Sequence, residues 1–353
     1  MTINFLLPYR TKSPGGGLKV MYEYANHLAD RGHDIRVLHL RKRFQRYSAW
    51  MYPIARWLKN VENSFFPFWF KFHKTCKVQY VRSVTDKDMP DADVIIYTWW
   101  ELGFDVEKLA LRKGIKVNLI QDYEIWTGDT AAVHRSYDLK GVHNIVIASG
   151  LREIVSSFTQ KPVFILPNAI DTHTFHLVNP IENRNPASLC MMYHIQERKG
   201  TKYGLEALHT VKKRIPDLTV NLFSVFDAPD DLPDWMIFHK KPHNLCQIYN
   251  QSAIYITSSL QEGWALPPAE AMHCGCALIC TKISGHQDYA SEETASQVQP
   301  QQPQQMAEAI MELISHPDRR IRLAQAGHRF IQQFSWEKST NLLETFLKEH
   351  IKL

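Results

Sequence analysis

The sequence has no long hydrophobic run and few cysteines. None of its apolar stretches approaches the roughly 18 residues that a membrane-spanning helix needs. Its six cysteines do not show the spacing of a secreted disulfide framework. The first residues, 1–8, carry no basic leader before their short apolar run, so we expect a strand there and not a signal peptide. These absences favour a cytoplasmic protein.

The sequence also lacks a convincing metal-binding pattern. Cys274, Cys276 and Cys280 lie close together, but no fourth ligand accompanies them, so we expect small buried residues there. The four aspartates of residues 86–93 precede an apolar strand instead of ending one, which is typical of surface loop acids. We therefore expect neither a metal nor a cofactor.

Short apolar segments alternate with helical stretches along the whole chain. At 353 residues, with 44% hydrophobic and 22% charged residues, the chain fits a soluble protein of two domains. The alternation predicts parallel sheets built from βαβ units, in two series. The polar stretch 297–305, with its glutamines and prolines, is predicted to be a surface loop. The predicted strands are 3–7, 35–40, 94–98, 117–121, 145–148 and 163–166, then 189–192, 219–224, 236–239, 254–257 and 277–281.

Glu262 and Glu270 bracket the most informative segment, a glycine loop that runs into two prolines. Prolines at 267–268 mark a helix start, which places Glu270 in the first turn. There its carboxylate can accept hydrogen bonds from both hydroxyls of a ribose diol, and Glu262 would face a transferred sugar. The alternative is that Glu270 only complements the helix dipole and Glu262 is a solvated loop residue. Backbone amides that can cradle a diphosphate or a sugar hydroxyl are those of Gly263, Trp264, Ala265 and Leu266.

Two glutamates separated by seven residues, with these flanks, resemble the Glu-x7-Glu element of family 4 of the retaining glycosyltransferases. The resemblance implies the α/β GT-B fold, in which two Rossmann-like domains with parallel sheets face each other across a cleft. It implies an acceptor domain at 1–168, completed by a C-terminal helix at 336–353 that crosses back to it. Residues 169–335 would form the donor-nucleotide domain. The turn at 166–171 marks the hinge.

The second domain carries a partial match to the family's phosphate-binding pattern at 193–200. Lys199 and Gly200 match, and the resemblance gives Lys199 the role of neutralising the diphosphate. The family's Gly-Arg pair is replaced by Tyr193 and His194, so either His194 or Arg198 would supply the missing ligand. His239, which closes a predicted strand, lies where the family reads the base with backbone groups. The residues assigned to catalysis are Glu262, Lys199 and His194.

The first domain offers two further candidate contacts. Gly16 and Gly17 belong to a triple glycine at a strand-to-helix turn, which exposes amides to an anion. In the family a glycine-rich loop at this place touches the donor or the acceptor. Gln121 and Asp122 follow a predicted strand, and the carboxyl ends of parallel strands are where such sheets bind ligands. We interpret them as sugar or acceptor contacts, with a capping role as the alternative for Asp122.

Residues 41–82 are strongly basic and aromatic. They hold ten Lys or Arg residues against one Glu, together with twelve aromatic residues. Cations beside Trp and Phe suit an interfacial membrane contact or a lipid acceptor at the inner face of the cell membrane. The alternatives are a helical insertion buried in the first domain and, less in keeping with the remainder of the chain, a nucleic-acid surface. We expect no nucleic-acid partner.

The resemblance implies a reaction class. It is the retaining transfer of a hexosyl or deoxyhexosyl residue from a nucleotide-diphosphate sugar to a glycan or lipid-linked acceptor, in cell-surface polysaccharide synthesis. A ribose diol at Glu270 favours a ribonucleotide donor such as a UDP or GDP sugar, of which we expect UDP, although a deoxythymidine donor stays open. The competing readings are a sugar-nucleotide epimerase of GT-B fold and a noncatalytic membrane-surface or nucleic-acid-binding protein.

Overall fold

The computed structural model of the chain describes residues 1–8, 15–40 and 69–351. The chain divides into two compact units, Met1–Asn168 with Trp336–Leu353, and Ala169–Ser335. The acceptor and donor roles expected of these units stay predictions. None of the described helices combines the length and the apolar character that a bilayer-spanning helix requires.

Each unit is built on one parallel sheet. The first sheet has seven strands in the order β3-β2-β1-β4-β5-β6-β7, and the second has six in the order β10-β9-β8-β11-β12-β13. The first series is β1 (Thr2–Leu7), β2 (Asp34–Leu40), β3 (Lys77–Val81), β4 (Val94–Tyr97), β5 (Ile115–Ile120), β6 (Val142–Val146) and β7 (Val163–Ile165). The second series is β8 (Ser188–Met192), β9 (Thr219–Ser224), β10 (Met236–Lys240), β11 (Ile254–Thr257), β12 (Ala277–Thr281) and β13 (Ala295–Val298).

Helices connect the strands as in βαβ units, because consecutive parallel strands need a crossover connection, which is usually a helix. In the first unit they are α1 (Gly16–Asp30), α2 (Trp100–Val106), α3 (Thr130–Arg135) and α4 (Ser149–Ser156). In the second unit they are α5 (Thr201–Lys212), α6 (Leu245–Gln251), α7 (Leu266–His273), α8 (Pro303–Ser315) and α9 (Pro317–Ile331), and the chain closes with α10 (Trp336–Ile351). The result is the α/β architecture that the sequence predicts.

The last helix, α10, packs on α1 of the first unit. The Trp336 ring lies edge-on to Tyr24 at 5.0 Å and is stacked on His27 at 5.3 Å. Further along the helix, the Glu344 carboxylate accepts hydrogen bonds from Arg31 at 2.8 Å and from His33 at 3.1 Å. The neighbouring Lys348 and these two donors hold the pKa of Glu344 down at about 2. Aromatic packing and ion pairing together make this helix part of the first unit.

Two edge strands were not predicted. Strand β3 ends the basic aromatic segment, and just before it the rings of Trp69, Phe70 and Phe72 pack on the buried ring of Tyr22. At this end the rings pack on the first unit, as the buried alternative expects, but the segment forms a strand here and not a helix. Residues 41–68 lie outside the described residues, and membrane contact by the segment stays a prediction.

The prediction of a surface loop over residues 297–305 is wrong at both ends of the segment. Gln297 lies in β13, where its side-chain amide donates to the carbonyl of Ala290 at 2.9 Å, and Pro303 begins α8. A polar residue on an edge strand finds its partner in a neighbouring loop, so polarity does not indicate a loop here. The proline supplies a helix start because its missing amide hydrogen is not needed there.

Arg184 donates hydrogen bonds at the C-terminal ends of two helices of the second unit, α6 and α7. It is 6% exposed, and its guanidinium donates to the carbonyls of Cys274 at 2.5 Å, Ser252 at 2.9 Å and Asn179 at 3.0 Å. Two of these carbonyls directly follow α7 and α6, where helix geometry leaves oxygens without an internal partner. The cation also complements the negative ends of the two helix dipoles.

We predict that Arg184→Ala destabilises the second unit by at least about 3 kcal/mol, because several buried carbonyls lose their donor at once. Urea unfolding followed by circular dichroism measures the loss. The control is Arg319→Ala, which removes an exposed arginine paired with Glu312 and should cost less than about 1 kcal/mol. A loss for Arg184→Ala no larger than that of the control would contradict the structural role of Arg184.

Candidate functional site

The candidate site lies at the carboxyl edge of the second sheet. In an open parallel sheet, the loops after the strands share this edge, and ligands bind there. The loops after β8, β11 and β12 come from three neighbouring strands. They contain the segments 193–200, 258–265 and 282–286.

An ion pair between Lys199 and Glu262 joins the first two of these loops. The Lys199 ammonium lies 2.8 Å from Oε1 and 2.6 Å from Oε2 of Glu262. The two side chains are only 15% and 7% exposed. The structure therefore brings together two predicted catalytic residues that are 63 positions apart in sequence.

Glu262 is held in its ionised form. Burial by itself would raise the pKa of this carboxyl, but the Lys199 charge and the hydrogen bonds from Lys199 and Ser259 outweigh that effect and lower the pKa below its ordinary value. An ionised carboxylate only accepts hydrogen bonds. At neutral pH, the Glu262 carboxylate can accept hydrogen bonds from the hydroxyls of a ligand but has no hydrogen to donate.

A chain of hydrogen bonds supports Glu262 from behind. The Ser259 hydroxyl donates to Glu262 Oε1 at 2.8 Å, and the Thr281 hydroxyl donates to the Ser259 carbonyl at 2.5 Å. His286, fully buried, donates from Nδ1 to the Thr281 carbonyl at 2.8 Å. Sequence reasoning missed Ser259, Thr281 and His286, because none of them stands in the Glu-x7-Glu segment.

Two glycines allow the loops to approach this closely. Gly200 has φ +60°, and a Cβ there would lie 2.0 Å from the Ser258 carbonyl oxygen. A Cβ on Gly285 would lie 2.4 Å from the carbonyl oxygen of Glu262. Gly200 was noticed in the sequence as part of a Lys-Gly pair, whereas the only signal for Gly285 was its place just after β12.

Glu270 lies deeper in its helix than predicted. Helix α7 begins at Leu266, so Glu270 is its fifth residue, and the first turn contains no acid. The predicted first-turn position was wrong because the helix starts before the proline pair. Glu270 is 7% exposed, and the buried Tyr249 hydroxyl donates to its Oε2 at 3.4 Å. The carboxylate thus stands one turn behind the free amides of the helix start.

The Trp264 side chain faces the interior of the second unit. Its ring is 5% exposed and packs against Tyr289 at 5.1 Å and Phe334 at 5.5 Å. Its indole nitrogen has no hydrogen-bond partner among the described residues. Trp264 can therefore offer a ligand only its backbone. The carbonyl of the next residue, Ala265, accepts the Tyr289 hydroxyl at 3.2 Å, which fixes the loop that runs from Gly263 to Leu266.

His194 is neutral at the end of β8. Its Nδ1 accepts the backbone amide of Gln196 at 3.0 Å. Burial, together with the nearby charges of Lys199 and Arg198, lowers the pKa of the ring to about 4, against a smaller opposing effect of Glu262. His194 is near enough to Lys199 for the charge of Lys199 to affect its pKa, but it brings no positive charge in this state.

The other predicted donor contacts are less central. The Arg198 guanidinium bonds to the side chain of Gln196 at 3.2 Å, and the Arg198 carbonyl accepts the Leu260 amide at 2.7 Å. His239 lies on the edge strand β10, where Nε2 donates to Asn221 Oδ1 at 2.9 Å. Strand β9 separates His239 from β8, so its side chain is engaged on the sheet and away from the ion pair.

The predicted contacts in the first unit meet at the carboxyl edge of its own sheet. Gly16 begins α1. The Gln121 amide donates to the Gly17 carbonyl at 3.0 Å and to the Thr98 hydroxyl at 3.2 Å, so it bridges three segments. Asp122 Oδ1 accepts the amide of the next residue, Tyr123, at 2.9 Å, which is a local turn contact. Sugar or acceptor binding by Gln121 and Asp122 stays a prediction.

Glu124, which sequence reasoning missed, has an unusual carboxyl at the same edge. Its Oε2 accepts the amide of Trp100 at 3.0 Å. Burial, with smaller contributions from the charges of Asp122 and Glu101, outweighs the hydrogen bond from Trp100 and raises the pKa of Glu124 to about 7. Trp99, the residue before Trp100, has φ +86°, a backbone conformation that few residues other than glycine adopt. No signal in the sequence distinguished Glu124 from a surface acid.

No group of three His, Cys, Asp or Glu side chains suited to a metal ion occurs within residues 1–8, 15–40 and 69–351. The absence of a metal and of a cofactor from the reaction stays a prediction.

Known proteins resemble parts of this sequence. Residues 235–330 match the family described as Glycosyl transferases group 1. The D-inositol 3-phosphate glycosyltransferase of Corynebacterium urealyticum is 26% identical over 168 residues, which is 42% of this chain and 40% of that protein. The protein of the same name from Rhodococcus opacus is 31% identical over 107 residues, 30% of this chain and 24% of that protein. The chain thus matches less than half the length of these curated relatives.

Solved structures resemble the whole chain. Sucrose-phosphate synthase from Thermosynechococcus elongatus gives a TM-score of 0.73 at 16% identity, with 99% of both chains covered. HepE of Anabaena, in its complex with UDP-glucose, gives 0.73 at 13% identity, with 98% of this chain and 99% of that chain covered. These likenesses confirm the predicted GT-B fold. The match to the Glycosyl transferases group 1 family lies within the second unit and supports the predicted resemblance to family 4.

Proposed function

We propose that this protein transfers a hexosyl or deoxyhexosyl residue from a nucleotide-diphosphate sugar to a glycan or lipid-linked acceptor. The observation that carries the proposal is the buried ion pair of Lys199 and Glu262 at the carboxyl edge of the second sheet. It stands beside the glycine loop and the start of α7, with Glu270 one turn behind. A cation, free amides and two carboxylates meet the needs of a sugar attached to a diphosphate.

Each group has a chemical task in this proposal. The Lys199 ammonium and the amides at the start of α7 bind the diphosphate, because both favour negative charge. Glu262 accepts hydrogen bonds from hydroxyls of the transferred sugar, and Glu270 accepts those of the ribose. The diol favours a ribonucleotide over a deoxythymidine nucleotide, and the UDP-glucose in the HepE complex supports UDP as the ribonucleotide.

The proposed reaction retains the configuration of the sugar. The bond between the anomeric carbon and the diphosphate oxygen breaks while the acceptor oxygen attacks the same face, and the departing diphosphate takes the acceptor proton. Negative charge grows on the leaving group, where preorganised positive groups lower the barrier most. Glu262, being ionised, assists as an acceptor and not as an acid. The proposal includes no protein nucleophile, metal or cofactor.

We place this activity in cell-surface polysaccharide synthesis at the inner face of the membrane. Residues 41–82 hold ten Lys or Arg residues against one Glu, a charge that suits anionic lipid headgroups. A lipid-linked acceptor would be presented at the same surface.

We predict that UDP raises the melting temperature of the purified protein more than GDP, ADP or deoxythymidine diphosphate. A ligand at 100 times its Kd adds about 2.7 kcal/mol to the free energy of unfolding, which corresponds to several degrees. Thermal shift with the four diphosphates measures the effect. A flat response to all four would contradict a donor site in this chain.

The two glutamates should separate in enzyme kinetics. We expect Glu270→Ala to raise the KM for the UDP-sugar about tenfold or more, because a hydrogen bond to a charged group is lost in the bound state. Glu262→Ala should mainly lower kcat, by about a hundredfold, because its contacts support the transition state. The control is Glu308→Ala on the exposed face of α8, which should leave both constants unchanged. Equal and negligible effects of Glu262→Ala and Glu270→Ala would refute these roles.

The ion pair should also be visible in stability. Breaking a buried pair leaves an uncompensated charge, so Lys199→Met and Glu262→Gln should each cost about 2–4 kcal/mol, and the double variant should cost clearly less than their sum.

Because the pKa of Glu262 is lowered in the folded state, its contribution to stability is full above the unfolded pKa and is lost as pH falls through the folded value. Urea unfolding between pH 7 and pH 3.5 should show a smaller acid loss for Glu262→Gln. Additive costs would show that the pair is not coupled.

A further inference from the structure

His286 has no exposed surface with which to contact a ligand, yet it stands at the far end of the hydrogen bonds that hold Glu262. We propose that His286 is a positioning residue for sugar transfer. It closes the loop after β12 and, through Thr281 and Ser259, fixes the Glu262 carboxylate in the orientation that the reaction needs. This inference rests on the proposed function, because it concerns the same carboxylate.

The contacts of His286 set its tautomer. The Thr281 carbonyl can only accept a hydrogen bond, so Nδ1 of His286, at 2.8 Å, must carry a proton. Nε2 has no partner among the described residues. A second proton on Nε2 would leave a buried cation with an unpaired N–H, and burial lowers the pKa of the ring. The ring is therefore neutral, and its one N–H is bonded to the main chain of Thr281.

Three hydrogen bonds lead from this N–H to Glu262. The first fixes the carbonyl of Thr281, and the second runs from the Thr281 hydroxyl to the Ser259 carbonyl at 2.5 Å. The third runs from the Ser259 hydroxyl to Glu262 Oε1 at 2.8 Å. All four residues are buried, so water does not compete for these bonds. A shift of the Thr281 main chain is therefore passed to the carboxylate.

The turn that contains His286 also packs directly against Glu262. Ser284–His286 forms a single 3₁₀ turn. A Cβ on Gly285 would lie 2.5 Å from Cβ of Glu262 and 2.4 Å from its carbonyl oxygen. The turn has no room to move towards Glu262, and the bond from His286 to Thr281 keeps it from moving away.

The orientation of the Glu262 carboxylate matters because most of its acceptor sites are occupied. A carboxylate offers about four lone pairs. Lys199 bonds to both oxygens and Ser259 bonds to Oε1, which leaves about one acceptor site, on Oε2. A hydroxyl of the transferred sugar must meet that one site, and a misplacement of about 1 Å can cost about a hundredfold in rate. Loss of the anchor at His286 should therefore lower turnover and leave the diphosphate contacts in place.

Two substitutions separate the hydrogen bond of His286 from its packing. Asn and Leu have the same branched shape, but only the Asn amide can place an N–H near the position of Nδ1. We expect His286→Asn to keep kcat within about threefold of wild type and His286→Leu to lower kcat about tenfold or more. The KM for the donor should change by less than about twofold in both variants.

Release of UDP from UDP-glucose, UDP-galactose and UDP-N-acetylglucosamine is the measurement, with water as the acceptor. The donor that the wild-type protein cleaves fastest is then used for every variant. Melting temperatures show that each variant is folded at the assay temperature. Thr281→Val removes the hydroxyl of the next link and keeps its shape, so it gives the same test if His286→Leu does not fold.

A double-mutant cycle adds a readout that a general loss of packing would not change. In the Glu262→Gln background, His286→Leu should lower kcat by less than about a further twofold, because no oriented carboxylate remains to be lost. The matched control is His273→Leu, which removes another buried histidine of the second unit, at the end of α7. It should leave kcat and KM within about twofold of wild type.

Three results would overturn the positioning role. They are an equal kcat for the Asn and Leu variants, a fall in kcat for Leu that is matched by a rise in KM, and a full Leu effect in the Glu262→Gln background. Each of them would make His286 a packing residue only. If the wild-type protein cleaves none of the three donors, the proposed function itself fails and this inference falls with it.

Discussion

The ion pair of Lys199 and Glu262 is the constraint on which the candidate site depends. Burying two charges costs more than their attraction returns unless further hydrogen bonds satisfy them. Here the Ser259 hydroxyl provides such a bond, and Gly200 and Gly285 let the supporting loops come close enough. The ion pair therefore depends on how closely the loops after three strands pack against one another. A glutamate in the same sequence pattern but without these contacts would be an ordinary loop acid.

The sequence was sufficient for the repeated parts of the fold. Mainly apolar runs such as those of β1 and β11 are typical of strands buried on both faces, and they predicted the parallel sheets. The edge strands β3 and β13 were missed, because an edge strand is covered less and its sequence is more polar. The bounds of α7 shifted by one residue, and this was enough to move Glu270 out of the first turn. Burial pattern predicts elements better than it predicts their ends.

The site was predicted in its main residues but not in their relations. Glu262 and Lys199 each stood out by a local pattern, yet nothing in either pattern shows that they pair. His286 and Glu124 gave no local signal at all, since their properties come from burial and from contacts that the fold creates. The tautomer of His194 depends on where one backbone amide points, which is a matter of loop geometry. The sequence identifies which residue types belong to the site, whereas their charge states depend on contacts that only the folded structure provides.

The return of α10 to the first unit has a consequence for how the protein is made. The second unit, 169–335, is continuous in sequence, whereas the first unit needs both 1–168 and the final helix. During synthesis, domains fold as their residues emerge. The second unit has all its residues before the first has its last helix, so the unit that begins the chain is the one completed last. A chain cut short before Trp336 would have a whole second unit and a first unit that lacks the partners of Tyr24 and Arg31.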